Sequence, residues 1–524
     1  MTQPQQPRRL PKGMQYFETI RQEGYVYVDK TDLVWKIANT DQNNFLSRPR
    51  RFGKSLLSDT LACYLEGRKD LFEGLKIMSL EKEWKKHFVF RFDFSGIQTA
   101  QQLKNHLEGT LSEYEQQLGR SSMVEIGDRF LALMKRAYEQ TGEKFAVIID
   151  EYDVPLQQTL YDNDEHDKVV AIYRSFFPTL KTGSQHLKCL FFTGITKFTQ
   201  LSLFSTLNNV SILSAMPEYA TVCGFTHQEL LDNFMPEIEA MSLKKGWDTE
   251  ETIATLRDMY DGYHFSEDTS PETAVYNPYS LINALADRRI GNYWVSSGGS
   301  SLLNKMLQRS DQEDIPIDGA EIDADTLELA DVSLDNIPLF LYQSGYLTIK
   351  NYDDEIYTLT IPNKEVRRAL YKIVLPNALQ RQTDTVSGFV SNMKTALGKG
   401  DIEECMRRLQ LLVAETPYAR KGEKALEDRY RFILKHAFYL AGCNVEEEKQ
   451  VNGGIIDLVA HFRKITLVIE LKLETNGGLE AAKAQLATND YAAAFTEPGR
   501  EVYAVAIEAG SKHRGIIDYD IQRV

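Results

Sequence analysis

The sequence lacks any run near the ~18 uninterrupted apolar residues that a membrane span requires, so no transmembrane segment is expected. Its opening residues, Met1 to Pro7, are polar and Pro-rich without an apolar stretch, and nothing in them suggests export. Cysteine is scarce: five residues (Cys63, Cys189, Cys223, Cys405, Cys443), scattered, odd in number and without zinc spacing. Buried reduced thiols in a cytoplasmic protein are the expected reading. Positive charge is in deficit: the net charge of −15 argues against a chain that coats nucleic acid nonspecifically. From Lys421 onward 14 Lys and Arg face 16 Asp and Glu, so the acidic excess lies upstream. No internal repeat is found.

What is present is a globular composition, 43% apolar and 10% aromatic, over 524 residues, too long for one core. The first chemical signal is Ser47-Arg48-Pro49-Arg50-Arg51-Phe52-Gly53-Lys54-Ser55. It follows the apolar Phe45-Leu46 and opens onto a helical pattern, the context a phosphate-binding loop needs. Backbone N–H groups and the helix's positive end can hold a β-phosphate, Lys54 can reach the β/γ oxygens, and the Ser55 hydroxyl can sit on Mg²⁺. Arg50, Arg51, Phe52 and Gly53 complete the candidate loop. Arg48 stands where the usual motif has its first glycine, leaving Pro49 to shape the loop; Gly-Lys-Ser alone would equally suit a basic helix start in solvent.

The second signal is Phe145-Ala146-Val147-Ile148-Ile149-Asp150-Glu151, which reads as a central parallel strand ending in two carboxylates. Asp150 is expected on Mg²⁺ and Glu151 on the attacking water. Phe88–Phe94 and Cys189–Gly194 read as neighbouring strands, and Thr193, or Thr196 with Lys197, can sense a γ-phosphate; a strand end satisfied by backbone bonds is the plainer reading. Tyr25–Thr31 is expected as a strand, with Thr31 or Asp32 capping the next helix. Val28-Asp29-Lys30-Thr31, the loop and Thr193–Phe198 together resemble the bacterial AAA-ATPase-like proteins that carry a C-terminal PD-(D/E)XK nuclease domain. The resemblance runs in order along nearly the whole chain. In that family the missing first glycine is the normal form.

Thr226–Glu229 is a capping box, and helices are expected to about Leu285. His264 sits among aromatics and reads as packing. Loops are expected over Ser296–Ser301 and Asp311–Glu328. Leu339–Ile349 with Tyr357–Pro362 reads as a hairpin, the wing of a winged helix. In the C-terminal part, Gly453–Val459 and Leu467–Leu473 are β-patterned about a turn at Phe462-Arg463-Lys464. Alternation puts Glu470 and Lys472 on one face, and pairing brings Asp457 beside Glu470. Two such carboxylates repel unless a hard cation sits between them, and Mg²⁺ accepts that set; Lys472 would stabilise an attacking hydroxide. The segment resembles PD-(D/E)XK nucleases, and the resemblance places Glu427 as the acidic helix residue, and Gln485 and Tyr491 as the Q…Y signature. The arginine usual before the strand aspartate is Ile455 or Ile456 here, which weakens the expected phosphate contact.

The expectation is therefore an α/β multidomain chain: a P-loop NTPase with a parallel sheet and flanking helices (1–215), a helical, winged middle domain (216–400), and an α/β restriction-endonuclease-like domain (401–524). The expected activity is ATP-coupled, Mg²⁺- or Mn²⁺-dependent phosphodiester hydrolysis, with DNA and ATP as partners, no membrane, and a homo-oligomer left open. The alternative is a nucleotide switch whose nuclease-like domain binds without cutting.

Overall fold

A computed structural model of the chain describes residues 8–196, 210–294, 300–309, 318–329, 336–414, 423–451, 454–488, 491–511 and 515–524. Packing divides it into two compact units, residues 1–297 with 316–366, and residues 298–315 with 367–524. The segment expected as one connector, 216–400, is thus shared between them. Among the described residues no helix is long and apolar enough to cross a membrane, and all five cysteines are free and buried.

In the first unit, β1 (Asn43–Ser47), β2 (Val89–Asp93), β3 (Phe145–Asp150), β4 (Leu187–Gly194) and β5 (Val210–Ile212) form a sheet in the order β2-β3-β4-β1-β5, every pair parallel. Every residue of β3 is buried, which explains its unbroken apolar run: helices cover both faces. Helix Ala100–Leu118 buries Leu103, Leu107, Leu111 and Leu118 at helical spacing, and helix Ile126–Thr141 adds Phe130, stacked on Phe176 at 5.0 Å. Parallel strands put all their carboxyl ends at one edge, so Ser47, Asp150 and Gly194 lie together.

Four expectations change, the loop expected over Asp311–Glu328 among them: its described part holds the strand Glu321–Asp323 and the helix Ala324–Leu329. Tyr25–Lys30 is irregular and pairs in no sheet; Val26 and Val28 turn into a cluster with Leu230, Phe234 and Ile238. Its β-like pattern reflects one-sided burial against helices, which alternation cannot tell from a ladder. The helix that follows, Thr31–Asn39, is capped by neither Thr31 nor Asp32: Lys30 stands at its N-cap without a side-chain cap, and Asp29 accepts from the Thr31 N–H at 3.0 Å. Leu339 to Ser344 is helical, within Ile337–Ser344, capped by Asn336 and ended by Gly345 at φ 87°. The hairpin is instead made by strands Thr348–Asp353 and Ile356–Thr360, with Glu321–Asp323 on its other side. The capping box at Thr226 and Glu229 forms as expected; His264 is half-buried, its Nδ1 3.4 Å from Thr273 Oγ1 and its backbone N–H donating to Thr348 Oγ1 at 2.7 Å.

Glu365 is 1% exposed and accepts from the backbone N–H groups of Tyr293 and Trp294. Burial pushes its carboxyl from the ordinary 4.5 to about 7, against the hydrogen bonds that favour the anion. Between those values the folded protein holds a proton the unfolded chain has released, so stability falls as pH rises through the window and levels off above it. Glu365→Gln is expected to remove a slope worth on the order of 3 kcal/mol, read as melting temperature against pH.

The second unit holds β11 (Asn444–Val451), β12 (Gly454–Phe462), β13 (Ile465–Leu473), β14 (Glu501–Ala509) and β15 (Ile516–Arg523), in that spatial order; strands β6 to β10 are the short pairs Phe225–Thr226 and Val275–Tyr276 and the three just described. All neighbours are antiparallel except β13 and β14, which are joined by the crossover helix Gly478–Thr488. Helix Glu423–Ala441 packs on β11, β12 and β13.

Candidate functional site

β1 ends at Ser47, and the chain turns through Pro49–Gly53 into helix Lys54–Leu65. Two residues in this turn are left-handed, Arg51 (φ 71°) and Gly53 (φ 93°); Gly53 is the one for which a Cβ would add strain at the helix start. Lys54 is 4% exposed and donates to the Arg48 and Pro49 carbonyls at 3.0 and 3.2 Å, folding its ammonium into the loop. The Phe52 ring is buried edge-on to Tyr263 (4.8 Å) and Phe265 (5.3 Å), so what Phe52 can offer a ligand is its backbone N–H. Arg51 is exposed and lies 4.3 Å over the Tyr279 ring. A cavity of about 510 Å³ opens here, lined by Arg50, Gly53, Lys54, Ser55 and Glu151, with Lys30 and Tyr279 on its farther walls. Sequence reading gave no ligand role to Lys30 or Tyr279, whose contribution depends on the fold.

β4 lies between β1 and β3, and Asp150 at the end of β3 accepts a hydrogen bond from Thr193 Oγ1 at the end of β4. Glu151 follows in a left-handed conformation (φ 52°), its N–H facing Thr193 Oγ1. Burial raises the Glu151 carboxyl, Asp150 and Asp153 add to the rise, and Lys54 and Arg50 oppose it. The structure therefore brings Asp150, Glu151 and Thr193 to one sheet edge, with Lys54 within Coulombic range of Glu151 and Ser55 on the same cavity as both. Thr196 is engaged elsewhere, and Lys197 and Phe198 lie outside the described residues.

Sequence reading missed Asp153. It is fully buried and accepts from the N–H groups of Ile195 (2.9 Å) and Thr196 (2.7 Å), from Thr196 Oγ1 (2.7 Å) and from Gln157. A Cβ on Gly194 would stand 2.7 Å from its Oδ1, so the glycine is what lets β4 pass this close. Asp153→Ala strands two buried N–H groups and is expected to cost about 3 kcal/mol or more in denaturant unfolding.

In the second unit, Leu458 pairs with Ile469, which sets Asp457 opposite Glu470. Asp457 is half-buried and accepts from the Leu471 N–H at 2.9 Å. Glu470 is 1% exposed; Lys472 Nζ donates to its Oε1 at 2.8 Å, while its buried Oε2 has no partner. Burial raises the Glu470 carboxyl to about 7, Asp457 adds to this, and Lys472 opposes it. Among the described residues no three His, Cys, Asp or Glu side chains converge as a metal cluster, so this site offers two carboxylates. That donor set, with an orphaned buried oxygen, fits a hard cation that keeps several waters.

Glu427, on helix Glu423–Ala441, lies within Coulombic range of Lys472. Gln485 is half-buried on helix Gly478–Thr488, and no hydrogen bond joins it to Asp457, Glu470 or Lys472; Tyr491 is buried in the core. Arg431, one turn beyond Glu427, was not anticipated. It is 13% exposed, bonded to Asp428 (2.9 Å) and to Glu448 (2.5 Å), and feels the Asp457 charge. Glu448 lies between the β11 residues that pair with Ile456 and Leu458, so Arg431 reaches the Asp457 end of the sheet. The i, i+4 spacing from Glu427 was the available signal.

Residues 11–204 match the AAA-ATPase-like family model, described as a predicted AAA-ATPase. Over 534 aligned positions, 98% of this chain and 99% of the relative, the chain is 28% identical to an uncharacterized protein in the vnfD 5'region of Azotobacter chroococcum mcd 1. The match takes in β1 to β4 and the helix that opens at Lys54, and with them Lys54, Asp150 and Thr193; β5 lies beyond it.

Proposed function

We propose that the first unit binds and hydrolyses ATP in the 510 Å³ cavity and that the second unit cuts phosphodiester bonds, in DNA, under the control of that nucleotide. The ATPase half is supported by the family match over residues 11–204. In it Lys54 and the loop N–H groups bind the phosphates, Ser55 and Asp150 hold Mg²⁺, and Glu151, raised by burial, takes a proton from the attacking water. The nuclease half is carried by one observation: a buried Glu470 with an unpartnered oxygen, opposite Asp457 and 2.8 Å from Lys472.

Asp457 and Glu470 would hold Mg²⁺ or Mn²⁺, which when bound offsets charge on the scissile phosphate. Lys472 places a positive charge at the same edge and steadies the attacking oxygen. Arg431 replaces, from a helix, the arginine missing before Asp457. Phosphate release from ATP by the wild type, absent in Glu151→Gln, tests the first half; Mg²⁺-dependent cutting of linear or circular DNA tests the second. A second reading, a nucleotide switch that binds without cutting, draws on Arg431 being held by Asp428 and Glu448. Failure of the C-terminal site to bind Mg²⁺ at millimolar concentration would favour it.

A further inference from the structure

β3 leaves the sheet through Asp150-Glu151-Tyr152-Asp153, and of these four Glu151 is the one that lines the cavity; Tyr152 and Asp153 are fully buried. Glu151 is left-handed at φ 52°, a backbone that a residue with a side chain keeps only where its surroundings fix it. Here the surroundings are the end of β4, bonded to the residue on either side of Glu151. Asp150 accepts from Thr193 Oγ1, and the Tyr152 N–H donates to the Thr193 carbonyl at 3.0 Å. The Tyr152 hydroxyl donates to the Thr196 carbonyl at 3.1 Å, and its ring stands edge-on to Phe45 and Phe192. Asp153 Oδ2 gathers the Ile195 and Thr196 N–H groups and the Thr196 hydroxyl. The Val154 N–H closes the turn on the Glu151 carbonyl at 3.1 Å.

None of these bonds uses the Glu151 carboxylate, and Glu151 lines the cavity together with Lys54 and Ser55. The strand ends come this close because residue 194 is glycine: a Cβ there would stand 2.7 Å from Asp153 Oδ1 and 2.9 Å from the Tyr152 ring. The carboxyl edge of a parallel sheet is where ligands of such folds bind. A group that orients an attacking water works within a narrow range of positions, and displacing it lowers the rate of reaction more than the affinity for substrate.

We propose that Tyr152 and Asp153 are positioning residues for ATP hydrolysis: they staple the end of β3 to the end of β4 and so hold Glu151 in the left-handed turn from which its carboxylate meets the attacking water. The inference deepens, and rests on, the reading of this cavity as an ATP site with Glu151 as its base. Both residues act through the backbone of Glu151 and not through contact with the nucleotide.

The test measures ATP turnover by wild type, Asp153→Asn, Gly194→Ala and Tyr152→Phe, with calorimetric titration of ADP and of a non-hydrolysable ATP analogue, and melting of the nucleotide-free proteins. Asp153→Asn keeps the side chain's shape and one acceptor oxygen. Gly194→Ala drives a methyl group against the staple from the β4 side without removing any acceptor. Each is expected to lower kcat at least about tenfold while both nucleotides bind within about threefold of wild type. Tyr152→Phe loses one bond, and its kcat falls by less; it keeps the test decisive should the other two fail to fold. Unchanged kcat in the folded variants overturns the inference and leaves the ATP site standing. Turnover that falls only with the folded fraction, or affinity that falls in step with kcat, also overturns it, because the staple is then a strut of the whole site. A wild type that binds nucleotide without hydrolysing it, or binds none, overturns the underlying reading and the inference with it.

Discussion

Lys54→Ala is expected to abolish the stabilisation that ATP-Mg²⁺ would confer on the wild type. A ligand at a hundred times its dissociation constant stabilises the folded state by about 2.7 kcal/mol, and the variant is expected to lose essentially all of it. The reason lies in where the ammonium sits. Its Nζ bonds the Arg48 and Pro49 carbonyls at 3.0 and 3.2 Å, so it is already inside the loop and need only exchange those acceptors for phosphate oxygens. Without ligand the substitution strands two carbonyls at the cost of about 1–3 kcal/mol each at most. Differential scanning fluorimetry with and without ATP-Mg²⁺ separates the two effects. A shift that survives in Lys54→Ala would place the nucleotide somewhere other than this loop.

The second large effect is at Lys472. Lys472→Ala is expected to lower DNA cleavage by about 10²–10³-fold, the scale of removing one preorganised charge from a transition state. It also removes the partner of a carboxylate that is 1% exposed, and breaking such a buried pair costs about 3–5 kcal/mol. Activity must therefore be read under conditions where the variant is folded. Glu470→Gln supplies the control. It leaves no unpaired buried anion, so it is expected to be more stable than Lys472→Ala while being equally unable to cut. If both variants lose activity only in proportion to their unfolded fraction, the pair is structural.

The sequence carried more of the sites than of their surroundings. Gly53-Lys54-Ser55 and Asp150-Glu151 were readable because each lies at a strand's carboxyl end, where chain order dictates geometry, and the structure places both at one edge with Thr193. Asp457, Glu470 and Lys472 followed from strand alternation across a short turn. Tyr25–Lys30 misled because Val26 and Val28 alternate in burial without any pairing strand. Leu339–Ser344 misled because its apolar run is buried on most sides, which removes helical periodicity, and only the Asn336 cap and Gly345 stop betray the helix. Asp153 lay beyond reach in its role, since it is defined by Ile195 and Thr196, far away in sequence, whereas Arg431 left only its helical spacing from Glu427 as a signal.

The central claim is that one chain joins a nucleotide site to a phosphodiesterase. Its most direct measurement incubates wild type, Lys54→Ala and Lys472→Ala with linear and circular DNA in Mg²⁺ or Mn²⁺, with and without ATP. The account predicts cleavage by the wild type, its loss in Lys472→Ala, and a response to ATP that Lys54→Ala lacks. DNA left intact by the wild type under every condition, or cut equally by all three proteins, would contradict it.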